Sequence, residues 1–211
     1  MSELTIALPK GSLYDPSAAA LSAIGIETPA DPGRRLTMAS VDGSANLLLL
    51  RPTDVPAYVE FGAADCGIVG KDTLWESERS VSEAVDLGFG ACRLVVAARR
   101  CDGFHEGARY PTFLRVATKF KRMATQYFSE RDIPCEIIAL HGSVELAPLV
   151  GLADVIVDLV ATGSTLREHD MVVVDEIASS TARFVLNPVA YRSKYARLSA
   201  LCERLQRSVA S

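Results

Sequence analysis

The chain has 211 residues, 49% of them hydrophobic and 23% charged, with a formal net charge of −4. That composition is ordinary for a globular protein, and the slight acidity excludes a broad nucleic-acid or membrane-surface footprint, so any polyanion must be held locally. No apolar run approaches the roughly 18 residues that cross a bilayer, and the start, MSELTIALPKG, has no basic region followed by a long apolar core; the expectation is a cytoplasmic protein.

Short apolar strands alternate with amphipathic helical stretches, the pattern of an α/β sheet protein. Residues 4–8, LTIAL, read as a first strand, with Ser12 as cap of a helix from Leu13 towards Gly25 and Asp15 in its first turn. NLLLL (46–50) is a buried strand, and Pro52 suits the first turn of a helix that ends near Gly62. CGIVG (66–70) is a short strand closing on glycine, and CRLVVAA (92–98) opens a new segment. Residues 99–111 are polar, punctuated by Gly and Pro, and read as a loop. From 114 to 159 the chain alternates LRVAT, a helix over 119–132, CEIIAL, a helix over 144–150 and DVIVDL, a compact βαβαβ unit. MVVVDEIA (171–178) is another strand, and residues 189–209 read as helical. Strands crossing between two halves near residues 91 and 172 give a discontinuous first domain, 1–91 with 173–211, a second domain, 92–172, and a ligand-binding cleft between them.

The five cysteines form no CxxC pair and read mostly as buried free thiols, and His105, His141 and His169 lack metal-ligand spacing. Chemistry is better sought in the loops. Residues 161–165, ATGST, follow a strand and precede the helix-like LREHD, so backbone amides and the helix dipole can receive an anion there. Gly163 permits close approach, and Thr162, Ser164 and Thr165 add hydroxyls; an ordinary helix-capping turn is the alternative. Glu145, in HGSVELAPL, and Asp158, at the carboxyl end of its strand, are carboxylates where ligands approach open α/β sheets. Beside a phosphate cradle they suit a ligand that also offers hydroxyls or a cationic centre, as a phosphorylated sugar does; cap or surface roles stand as alternatives. A basic set, Lys10, Arg34, Arg35, Arg51 and Lys71, lies where strands give way to loops and reads either as solvated surface charge or, together, as a counterion for a di- or triphosphate.

Four stretches in order, LTIALPKGSL, RPTDVPAYVEFGAADCGIVGKDTL, HGSVELAPLVGLADVIVDLVATGSTL and ARFVLNP, give the whole chain a resemblance to the short form of the ATP phosphoribosyltransferase family. The resemblance implies a two-domain, type II periplasmic-binding-protein-like fold with an interdomain cleft. It also implies transfer of phosphoribosyl from phosphoribosyl pyrophosphate (PRPP) to N1 of ATP with release of pyrophosphate, the first step of histidine biosynthesis. On that basis Ala161, Thr162, Gly163, Ser164 and Thr165 hold the 5′-phosphate, and Glu145 and Asp158 hold the ribose hydroxyls. Lys10, Gly11, Ser12, Arg34, Arg35, Arg51, Lys71 and Asp72 serve ATP and pyrophosphate, with Arg34 and Arg51 joining the two carboxylates in catalysis. Asp154 has no site role. Ser12 stands where relatives often carry Arg, and Ala161 where some carry an acidic residue. Mg²⁺ is expected as cofactor, carried mainly by PRPP rather than by a protein metal site. A homodimer is implied, and feedback control by a regulatory subunit similar to histidyl-tRNA synthetase, in a hetero-oligomer. The competing readings are a small-anion-binding protein of the same fold and a phosphoribosyltransferase acting on another base; in the latter, two adjacent acidic residues usually precede the phosphate loop, whereas Asp154 and Asp158 are separated by residues 155–157.

Overall fold

The computed structural model describes residues 4–29, 35–105, 107 and 110–210. The chain divides into two compact units, Met1–Gly90 with Thr181–Ser211, and Ala91–Ser180. The first contains β1 (Leu4–Pro9), α1 (Tyr14–Ala23), β2 (Thr37–Ala39), β3 (Ala45–Leu50), α2 (Val55–Glu60), β4 (Cys66–Gly70), α3 (Lys71–Ser77) and β5 (Ser82–Asp86). The second runs through β6 (Cys92–Arg99), β7 (Leu114–Thr118), α4 (Lys121–Ser129), β8 (Cys135–Ala139), α5 (Leu146–Leu149), β9 (Val155–Val160), α6 (Ser164–Glu168) and β10 (Met171–Ser180). The chain then returns to the first unit with β11 (Ala182–Leu186), α7 (Pro188–Ser193) and α8 (Tyr195–Ala210).

In the first unit the strand order is β2-β3-β1-β4-β11-β5, with β1 parallel to both β3 and β4 and β11 antiparallel to its neighbours. β1 and β4 lie inside the sheet with both faces covered, which is why LTIALP and CGIVG are nearly continuous apolar runs rather than alternating ones. Leu21, Leu47, Ile68, Phe184 and Leu198 pack in one core cluster, and Val55, Val59, Val69 and Val185 in another. Gly67 sits in tight packing: a Cβ there would stand 3.0 Å from the Ala7 carbonyl oxygen and 3.1 Å from Val55 Cγ1, so its neighbours would have to give way. In the second unit the order is β10-β6-β9-β7-β8, with β7 parallel to β8 and β9, and β6 antiparallel to β9 and β10. Phe128, Leu94, Val116 and Val157 form one of its core clusters, while Ala117, Ile156 and Leu166 belong to the other.

Several expectations change. The first crossing between units lies after Gly90, near residue 91 as expected, but the second lies after Ser180 rather than near 172, because β10 pairs with β6 all the way to Ser180 opposite Cys92. Ser12 does not cap α1; Gly11, at φ +79, starts a short 3-10 turn over Gly11–Leu13, and the helix begins at Tyr14 behind Leu13. β2, β5 and β11 are strands that periodicity alone did not separate. β2 has three residues, and β5 (SEAVD) has a single buried side chain, Val85. ARFVL is a short apolar run, a length at which strand and helix read alike. The helical tail breaks at Lys194, whose ammonium lies 2.8 Å from Asp65 Oδ2. Cys66 is a buried free thiol, but Cys101 is exposed and the other three are half-buried.

Asn187 ties the returning segment to the end of α2. Its side-chain oxygen accepts from the Val189 and Ala190 amides at 2.9 and 2.7 Å, capping α7, and its amide nitrogen donates to the Val59 and Glu60 carbonyls at 2.8 and 3.0 Å. The residue is 5% exposed, so all four bonds are shielded from water. Asn187→Ala removes the cap and takes the side-chain donor from two carbonyls at the end of α2, of which Val59 keeps the Gly62 amide at 3.1 Å and Glu60 loses its donor. The expected loss is about 2–3 kcal/mol, read as a lower urea midpoint with an unchanged slope; a midpoint within error of the wild type would refute it.

Candidate active site

β7, β8 and β9 are parallel and consecutive in register, so their carboxyl ends leave the sheet on one edge. Lys119 follows β7, Glu145 lies in the segment after β8, and residues 161–165 follow β9. Thr118 binds the three exits together. Its hydroxyl donates to the Val157 carbonyl at 2.7 Å and accepts from the Phe120 amide at 2.8 Å, and its carbonyl accepts from the Leu140 amide at 2.9 Å. In this way the fold builds a cavity of about 270 Å³ from Glu145, Asp158 and residues 161–165, walled by Ile156, Val160 and Leu166.

The loop is shaped by Gly163 and Arg167. Gly163 has φ +73 and stands at the cap position of α6, and Arg167 reaches back to donate to the Thr162 carbonyl at 3.0 Å. A Cβ on Gly163 would lie 3.2 Å from Arg167 Nη1. The Thr162 and Ser164 hydroxyls are 3.1 Å apart, and Leu166 is buried behind them as an anchor. The first amides of α6 have no partner inside the helix, and its dipole adds partial positive charge, so the loop favours an anion, with the Arg167 guanidinium beside it.

Asp158 lies in β9, opposite Val95 of β6. β7 stops pairing at Thr118 opposite Val157, and beyond that point the Leu159 amide turns to Asp158 Oδ1 at 2.8 Å. The Lys119 ammonium reaches the same oxygen at 3.0 Å. Glu145 precedes α5 without capping it, and its carboxylate makes no hydrogen bond or ion pair among the described residues. Sequence reasoning missed Lys119; its place directly after a strand of the βαβαβ unit was the available signal.

Asp154 has a different task. Its carboxylate receives the Arg115 amide and guanidinium at 2.8 Å each, just ahead of β9, and the Asp154 amide donates to the Arg115 carbonyl at 2.9 Å. The Arg115 hydrogen bond holds its carboxyl below the usual carboxylate range. That pairing fixes the start of β9 to β7, away from the cavity lining.

Of the basic set, Lys10 and Arg51 come together. The Lys10 amide donates to the Leu50 carbonyl at 2.8 Å, and both residues line a cavity of about 540 Å³ with Leu36, Thr37, Asp54 and Tyr58. Neither forms a salt bridge among the described residues. Gly11 turns the chain next to Lys10 with open space around its α-carbon, and Ser12 and Arg35 are exposed. Arg34 lies outside the described residues. Lys71 pairs with Glu83 and stands 6.0 Å from the Trp75 ring centroid, while Asp72 lies in the first turn of α3 and folds over Gly70; neither lines the Lys10–Arg51 cavity. Tyr58 and Asp54, absent from the sequence-based set, do line it. Among the described residues no three His, Cys, Asp or Glu side chains gather to hold a metal ion, and no helix is long and apolar enough to cross a membrane.

A family model described as ATP phosphoribosyltransferase (HisG) matches residues 51–207. An ATP phosphoribosyltransferase of Moorella thermoacetica is 52% identical over 211 residues, covering 97% of this chain and 92% of the relative. The solved ATP phosphoribosyl transferase (HisG:HisZ) complex from Thermotoga maritima has a chain that matches with a TM-score of 0.82 at 35% identity, over 98% of both chains. A substrate binding protein of an amino acid ABC transporter matches with a TM-score of 0.60 at 13% identity, over 99% of this chain and 92% of that one, which is a likeness of fold alone. The chain therefore belongs to the ATP phosphoribosyltransferase family, built on the fold of the periplasmic binding proteins.

Proposed function

We propose that this chain transfers the 5-phosphoribosyl group of PRPP to N1 of ATP, releasing pyrophosphate, as the first step of histidine biosynthesis. The observation that carries the reading is the convergence of Glu145, Asp158 and residues 161–165 on one cavity, in a chain of this family. In this reading the amides and hydroxyls of Thr162, Gly163, Ser164 and Thr165 receive the 5′-phosphate, and the two carboxylates accept from the ribose hydroxyls. Lys10 and Arg51, on the cavity they share with Tyr58, supply cations for ATP and the diphosphate.

The chemistry needs no base before attack, because adenine N1 carries a lone pair and no proton. As the N1–C1′ bond forms, the bond from C1′ to the diphosphate oxygen breaks and its electron pair leaves with pyrophosphate. Positive charge grows on the ribose, where Glu145 and Asp158 stabilise it, and negative charge grows on the leaving group, where preorganised cations act. Holding both substrates in line supplies further acceleration. Mg²⁺ carried by the diphosphate of PRPP would lend positive charge to the leaving group, as suits a hard cation that takes few protein ligands and keeps most of its waters.

Asp158→Asn is expected to fold and to lose on the order of 2–4 kcal/mol of transition-state stabilisation. Asp154→Asn, which breaks an ion pair outside the cavity, should keep its turnover and lose some thermal stability. Steady-state assays with ATP, PRPP and Mg²⁺ make the comparison, and wild-type turnover in Asp158→Asn would remove that residue from the site.

Gly163→Val places a β-branched side chain where φ is positive and beside Arg167. PRPP affinity measured by calorimetry should fall by about ten-fold or more, with the circular dichroism spectrum retained. Unchanged affinity would make residues 161–165 a helix-capping turn and nothing else.

Regulation is assigned to a second polypeptide similar to histidyl-tRNA synthetase, supported by the resemblance to a chain solved as a HisG:HisZ complex. Allostery needs a second site that binds its effector differently in two states, so histidine should scarcely affect the purified chain and should inhibit once the partner is added. Saturable inhibition of the isolated chain at low histidine would contradict this.

A further inference from the structure

We propose that Lys119 is a positioning residue for phosphoribosyl transfer, presenting the second carboxylate oxygen of Asp158 to the ribose; the inference rests on the site assignment above. Both protein contacts to Asp158 fall on one atom: Leu159 N–H and Lys119 Nζ lie 2.8 and 3.0 Å from Oδ1. Oδ2 has no hydrogen-bond partner among the described residues, and the side chain, 22% exposed, lines the cavity. One oxygen is therefore tied back and the other is left to accept from a ligand hydroxyl.

Lys119 is well placed to hold this arrangement. The residue before it, Thr118, is fully buried and hydrogen-bonded to β9 at Val157, and the residue after it, Phe120, is buried in the core. With both flanks anchored, the Lys119 Cα has little freedom, and its ammonium also stands 5.3 Å from the Phe120 ring centroid. The need for a cation is electrostatic. Glu145 and Asp158 share a small cavity whose proposed occupant carries a phosphate, so an uncompensated Asp158 is repelled by its neighbour and by its ligand. Arg167 does not fill this role: its guanidinium donates to the Thr162 carbonyl, and the ion pair to Asp158 is made by Lys119. Lys119 offsets the repulsion at Oδ1 and adds a charge-assisted hydrogen bond that fixes the carboxylate rotamer.

The test compares Lys119→Met, which keeps the apolar stem and removes the charge, with Lys119→Arg, Asp158→Asn and the Lys119→Met/Asp158→Asn double variant. Lys119→Met should lower kcat/KM for PRPP by about ten- to a hundred-fold, with KM for ATP and Tm close to the wild type. Lys119→Arg should restore most of the loss. The double variant should be no worse than Asp158→Asn, since a positioning residue has nothing left to position. Losses that multiply in the double variant would overturn the proposal in favour of a direct contact between Lys119 and substrate. Full activity in Lys119→Met with an impaired Asp158→Asn would overturn it and leave the site assignment standing, whereas full activity in both would overturn both.

Discussion

Thr118 is the constraint from which the candidate site follows. In a parallel sheet the loops after neighbouring strands leave from the same edge, but their separation is free unless something fixes it. Here a single buried side chain contacts both β9 and the turn into α4, while the backbone of the same residue extends pairing to the segment after β8. Lys119, Glu145 and residues 161–165 therefore emerge from anchored strand ends. The Arg115–Asp154 pair performs the equivalent service at the opposite end of β7 and β9. One carboxylate of DVIVD aligns the strand so that the other can face the cavity.

The distribution of charge separates groups that hold the fold from groups left for ligands. Arg115, Arg93, Arg79, Arg183 and Lys71 are engaged with carboxylates. These pairs are mostly at the surface, where each contributes little to stability but holds a side chain in place. Lys10 and Arg51 line a cavity without such partners among the described residues, as does Glu145 in the other unit. In the proposed reading, the amides and hydroxyls of the loop beside two carboxylates suit a phosphate joined to a ribose whose hydroxyls satisfy those carboxylates. The same carboxylates favour the sugar most when it carries positive charge, which is the requirement of transfer from C1′.

Much of this was legible in the amino-acid sequence because it is local. LTIALP, NLLLL, CGIVG and DVIVDL are strands whose apolar runs leave little choice, though NLLLL alternates between buried and more exposed positions, and the ATGST loop is confined to five neighbouring residues, with its glycine at the one position where φ is positive. The four family stretches carried the chemistry, which no periodicity could supply. What the sequence left undecided depends on partners distant along the chain. The return at Ser180 is set by pairing with Cys92, and the buried role of Asn187 by carbonyls some 128 residues away. Lys71 has the same local appearance as Lys10, a cation at a strand end, yet Glu83 engages one and the β1–β3 edge exposes the other. Asp154 and Asp158 look equivalent in DVIVD; only the approach of β7, bringing Arg115 to one and Lys119 to the other, made the first a strut and left the second on the cavity with one carboxylate oxygen uncommitted among the described residues. Local composition determines which residues are able to do chemistry, and tertiary pairing decides which of them are free to do it, because a charge already satisfied by its neighbour has less to offer a substrate.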